Sequence, residues 1–158
     1  MIKQWLSGEL SSTHEFFRRS TSALEEADSG FAPAEGVFSV AAQVAHVAQT
    51  IDWFVAGAFA PEGFSMDFEK MERDVRACKS LTDARAWFEN AVAAARQAID
   101  AHSEEEWMAP LPPGPILGGA PRFSIMGAIV DHTAHHRGAL TVYARLLGKT
   151  PPMPYMEM

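Results

Sequence analysis

Apolar residues recur every three or four positions through four long stretches of this 158-residue chain, and no stretch of comparable length alternates. That spacing gathers apolar side chains on one face of a helix, whereas a half-buried strand needs a period of two. Four amphipathic helices must bury those faces against one another, which predicts an all-α four-helix bundle. Val37 to Val40 is the only short β-like candidate, and it runs into a longer helical pattern.

Turn residues set the boundaries. The first helix is expected from about Ile2 to Asp28, with Trp5, Leu6, Leu10, Phe16, Phe17 and Leu24 inward, ended by Ser29-Gly30-Phe31-Ala32-Pro33. The second starts near Phe38 or Ser39, with Ser39 as its N-cap, and continues to about Phe59. A short charged helix covers Asp67 to Lys79. A third long helix runs from about Thr82 to Ala101, with Ala86, Phe88, Val92, Ala95 and Ile99 packing inward. Ser103-Glu104-Glu105-Glu106 has the pattern of a capping box and opens a brief turn leading to Trp107. Residues 110–121 are rich in proline and glycine and form a loop longer than a bundle needs; such loops often lie over a site. The last helix runs from about Phe123 or Ser124 to Leu147, with Gly148 just past its end. The tail carries Met153, Tyr155 and Met156, which should dock on the body or on a partner. With no repeat and no linker, residues 1–158 read as a single domain.

The formal net charge is −7 and no basic block occurs, which argues against nucleic acid as a partner. No apolar run reaches the length of a membrane span, and the N-terminus runs straight into polar helical sequence, so no membrane partner and a cytoplasmic location are expected. Cys78 is the only cysteine, so no internal disulfide forms; no motif beside it would stabilise a thiolate.

The last helix holds the chemistry. Ile125, Ile129, His132, His136, Leu140, Tyr143 and Leu147 fall within a band of roughly 80° on a 3.6-residue helix. Two imidazoles one turn apart therefore occupy the inward stripe, close enough to share a metal ion. A lone histidine on such a stripe is ordinarily a hydrogen-bonded core residue; two of them point to metal ligation. A third ligand is expected from His46 on the second helix. It lies off the main stripe of Val40, Val44, Val47, Ile51, Phe54 and Val55, beside Ser39, Ala42, Thr50, Trp53 and Gly57. Periodicity alone leaves a surface or interface role for His46 open. Gln49, Trp53 and His135 are candidate pocket residues, although His135 sits about 80° to one side of the band. Asp131 points away from the stripe, and Arg137 is expected to pair with an acid on a neighbouring helix. His14 and His102 read as structural or solvent-facing. An all-imidazole set suits zinc, nickel or iron(II). No catalytic residue is assigned.

Three features together, Ala45-His46-Val47 in the second helix, His132 to Gly138 as His-x-x-x-His-Arg-Gly, and Leu147 to Pro152 as Leu-Gly-x-x-Pro-Pro, make the chain resemble the DinB family, the DinB/YfiT-like metalloenzymes. The likeness spans nearly the whole chain. It departs at Ala139, where the family usually has Gln. The resemblance implies an up-up-down-down-type bundle, a three-histidine divalent metal site, a homodimer and a stress-associated role. Related branches transfer a low-molecular-weight thiol to electrophiles. The function expected from it is a metal-dependent transferase using a thiol cosubstrate on a small-molecule electrophile. A metal-dependent hydrolase and a non-catalytic metal or small-ligand binder are the alternatives.

Overall fold

The structure is a computed structural model and describes residues 1–156. It is helical throughout, with no strand among the described residues. The helices are α1 (Ile2–Thr21), α2 (Val40–Phe59), α3 (Phe68–Ala77), α4 (Leu81–Ala101), α5 (Glu104–Met108) and α6 (Ile125–Leu146).

Most boundaries follow from caps that are legible in the chain. The side chains of Ser39, Asp67, Ser80 and Ser103 each accept a backbone N–H from the first turn of α2, α3, α4 and α5. Ser103 and Glu106 form the reciprocal capping box. Past α6, Gly148 sits at φ +76°, Gly148 N donates to Arg145 O and Lys149 N to Ala144 O, which satisfies two terminal carbonyls. The 110–121 segment is a loop whose ends meet at a single bridge between Pro110 and Pro121.

The first helix is shorter than its sequence suggests: it stops at Thr21, not Asp28. The Thr21 hydroxyl bonds back to Phe17 O, and Arg85 reaches across from α4 to donate to Thr21 O and Leu24 O. Glu25 and Asp28 then cap a separate 3-10 turn over Glu26–Asp28. Trp5 is also partly exposed, and Phe16 meets the tail rather than the core. In α4, Ala86 is exposed; the buried row is Leu81, Ala84, Phe88, Ala91, Val92, Ala95 and Ile99.

Four long helices form the bundle, with α2 packed on α4 and α6, and α1 packed on the same two. Cross-contacts give their directions. Lys3 meets Asp100 and His14 meets Glu89, so α1 and α4 are antiparallel. Asp52 meets Trp87, and Phe59 stacks on His102, so α2 and α4 are parallel. Tyr143 bonds Phe38 O and Arg122 bonds Ala58 O, so α2 and α6 are antiparallel. Trp5 meets Phe123 and Phe16 meets Arg137, so α1 and α6 are parallel. The order is up-down-down-up, which corrects the up-up-down-down arrangement implied by the resemblance. Two consecutive "down" helices require the chain to return along the bundle between them. Residues 60–80 make that return, and α3 lies within it, against α2.

Fourteen of the twenty residues of α2 are buried, so it is the central helix and its apolar residues do not keep to one stripe. Gly57 gives the returning chain close access to it. A Cβ there would lie 2.2 Å from Cδ1 of Phe64, whose ring packs on Trp53 and Phe54. Gly57→Ala is therefore expected to destabilise the fold by about 1–3 kcal/mol, because the ring must be displaced. Urea unfolding checks this, and an unchanged or raised midpoint would show that the ring moves freely.

The tail lies on its own bundle as far as it is described. Pro154 O accepts from Arg19, and the Tyr155 ring sits edge-on to Phe16 at 5.0 Å. Residues 157 and 158 fall outside the described range. Arg137 pairs with no acid among the described residues: it lies over the Phe16 and Tyr155 rings and donates to the Tyr155 hydroxyl. With an aromatic residue on each flank, a guanidinium gains cation–π attraction without an ion pair. No helix is long and apolar enough to cross a membrane among the described residues.

Candidate metal centre

His46 sits in the second turn of α2, and His132 and His136 sit on consecutive turns of α6. Because α2 and α6 run antiparallel and pack directly, the three rings meet between them. One ligand atom from each histidine lies within 4.8 Å of the other two. The Nε2 atoms of His46 and His132 are 3.1 Å apart, and the His46 ring centroid is 4.8 Å from each of the other two. Two nitrogens bound tetrahedrally to zinc at about 2.0–2.1 Å are about 3.3 Å apart, so this separation already matches shared ligation.

The backbone around the rings is braced. Gln43, buried on α2, donates its amide to His136 O at 3.4 Å, and the Thr50 hydroxyl donates to His46 O at 2.9 Å. The Phe38 ring packs against His46 at 5.2 Å. The rings themselves are half-buried, less deeply set than Ile125, Ile129, Leu140 and Tyr143 of the same stripe.

Burial above all favours the neutral form of all three imidazoles. Burial lowers the pKa of His46, only partly opposed by Glu72. Burial first, then His46 and His135, push His132 down to about 4 against a small opposing effect of Asp131. Burial, then His132, His46 and His135, push His136 down to about 3. Neutral rings carry the lone pairs a metal needs. The donor set tests well against a transition-metal ion on a second count. The Nδ1 atoms of His132 and His136 are buried with no hydrogen-bond partner among the described residues. Two half-buried imidazoles, each with a buried nitrogen left unbonded, are costly as a structural motif and make better sense as ligands.

These shifts predict acid sensitivity in the metal-free protein. Unfolded histidine titrates near 6.5, so between there and about 4 the unfolded chain binds more protons than the folded one. The stabilising contribution is complete above about pH 6.5 and lost as pH falls through the lowered folded values. Urea midpoints of chelator-treated protein should drop steeply from pH 7 to pH 4.5, and a His136→Gln variant should flatten that drop. Parallel pH profiles for the two proteins would overturn it.

The remaining sequence candidates fall in different places. Trp53 lines a cleft that opens beside His46 and His132. Gln49 is buried against α3, donating to Met71 O, and does not line that cleft. His135 is exposed and outside the three-histidine group, with its ring edge-on to His136 at 4.9 Å. Asp131 is not part of the group either, yet it lines the cleft. His14 and His102 pair with Glu89 and Glu106. Cys78 is remote in function: burial raises its thiol pKa, which disfavours thiolate. Sequence reasoning missed Phe68, Met71 and Ala128 as cleft residues. Ala128 was within reach, one turn before His132 on the same row, whereas Phe68 and Met71 come from α3 and no spacing relates them to the histidines.

The sequence profile of the DinB superfamily matches residues 9–140. No curated protein matches the chain.

Proposed function

The chain belongs to the DinB superfamily, and on that premise we propose that it is a metal-dependent enzyme in which His46, His132 and His136 hold one divalent transition-metal ion, zinc, nickel or iron(II). The observation that carries this reading is the convergence of three imidazoles from two helices, with His46 and His132 86 residues apart in sequence. Such an ion supplies Lewis acidity, lowering the pKa of a thiol or water that reaches it. The reaction we infer is transfer of a low-molecular-weight thiol to a small electrophile. Its support is the donor set and the cleft. The three ligands are uncharged, so the residues themselves do nothing to offset a bound cation, and the apolar walls next to them shield an electrophile from water.

One observation favours a second reading, hydrolysis: the Asp131 carboxylate lines the same cleft and could accept a proton from water. A panel of thiols and electrophiles, run with and without reconstituted metal, separates the two. Metal-dependent turnover that requires thiol is expected. Turnover without thiol that is lost in Asp131→Asn would establish the hydrolase, and stoichiometric metal with no turnover across the panel would establish a carrier.

We also propose a homodimer. Its support is the set of large apolar residues left exposed on α6 and the tail, Val142, Leu146, Met153, Tyr155 and Met156. Light scattering at micromolar concentration should give twice the chain mass; the mass of a single chain would refute it.

A further inference from the structure

The histidine group opens into a cleft of about 360 Å³ between α2, α3 and the first half of α6. That volume suits a small ring system. Its walls are Trp53, Phe54, Phe68 and Met71, with Thr50 and Asp131 as the polar contributors apart from the histidines.

Three features define what it can hold. The Trp53 indole is pinned: its N–H donates to Ser65 O at 2.8 Å, and the Phe54 and Phe64 rings pack on it at 4.8 and 5.1 Å. With its N–H spent, it offers the cleft an apolar aromatic surface in a fixed orientation. Phe68 stands at the first turn of α3, with its ring 6.1 Å from Trp53 and 49% of its surface exposed. A large aromatic left in water beside an apolar cleft has a ready partner in a bound ring. Finally, no lysine or arginine lines the cleft among the described residues. The Thr50 hydroxyl is committed to His46 O, and among the described residues the one charged lining side chain is the Asp131 carboxylate. An anionic substituent turned away from the histidines, and so from any ion they hold, would meet no basic side chain and a like charge in Asp131.

We propose that this cleft takes an uncharged aromatic portion of the electrophilic substrate, with Trp53 and Phe68 setting specificity and Asp131 disfavouring anionic substituents on that portion. The proposal rests on reading the histidines as a metal site that acts on an electrophile.

The test uses 1-naphthol and 1-naphthoate, titrated by calorimetry into the full chain stripped of zinc, and 1-naphthol again after zinc loading. 1-Naphthol should bind in both states, and 1-naphthoate about tenfold more weakly or worse in the stripped protein. Phe68→Ala and Trp53→Ala should each weaken 1-naphthol about threefold to tenfold with zinc content unchanged. Asp131→Asn should narrow the gap between the two ligands. Phe68 is half exposed, so its variant keeps the test sound if Trp53→Ala disturbs folding. Equal affinity for the two ligands, or 1-naphthol binding indifferent to both aromatic substitutions, would overturn the proposal. Zinc measured on the same samples keeps the readings apart. A chain that holds zinc but not 1-naphthol refutes the cleft assignment. A chain that binds 1-naphthol but no zinc refutes the metal reading and upholds the cleft.

Discussion

His132→Ala is expected to lower transition-metal affinity by about a hundredfold or more, as are His136→Ala and His46→Ala. Residues that only orient a metal ligand are typically worth ten- to a hundredfold in affinity, and a direct ligand sets a higher cost than that. The three imidazoles lie within 4.8 Å of one another with no carboxylate or thiol in the group, so no fourth protein donor replaces a lost one among the described residues. Wild-type protein reconstituted with zinc or nickel should carry close to one equivalent per chain by elemental analysis, and each variant should carry little. His135→Ala should retain the metal, because its ring touches only the edge of the His136 ring. A second readout is thermal. Metal at a hundred times its dissociation constant should stabilise the wild-type protein by about 2.7 kcal/mol, and this gain should vanish in the three ligand variants. Wild-type protein that holds no metal after reconstitution would sink the central reading.

Trp107→Ala should be the most destabilising single truncation in the bundle, at about 3–5 kcal/mol. Trp107 is 1% exposed and is the largest fully buried side chain. It lies on α5, where the α4 end, the Phe59 end of α2 and the start of the Gly/Pro loop meet, with its ring edge-on to Phe59 at 4.9 Å. Arg122 closes the same corner, donating to Ala58 O and Glu106 O. Removal of the indole leaves a cavity that these backbone ties prevent from collapsing. The indole N–H has no partner among the described residues. Trp107→Phe therefore sacrifices no hydrogen bond and should cost much less than Trp107→Ala. Urea unfolding of both variants measures the difference. A loss below about 1 kcal/mol for Trp107→Ala would mean the corner repacks without it.

Different parts of the molecule were legible to different degrees. His132 and His136 were readable because they share a helix, where spacing fixes direction. His46 was harder: α2 is buried on most sides, so its apolar pattern has no single inward stripe against which a ligand stands out. The bundle class followed from periodicity, but the direction of each helix did not, because a helical repeat looks the same read up or down. The up-down-down-up order emerges only from cross-contacts such as Asp52 with Trp87. The cleft walls were hidden for the same reason, since Phe68 and Met71 reach the histidines through the return path from α2 to α4. The end of α1 was misread because the stop is a tertiary event: Arg85, more than sixty residues away, claims its last carbonyl and that of Leu24 just beyond it.

Two of the three clustered imidazoles lie on α6, the final helix, and the third lies on α2. During synthesis, a chain grown only as far as Ala120 holds one imidazole of the three, and α1 and α2 each still lack a neighbour. Capture of an ion by this group would thereby be deferred until α6 closes on α1 and α2. A polypeptide that stops before α6 would hold one imidazole of the group, so a loaded site would also be a certificate that the whole bundle has formed.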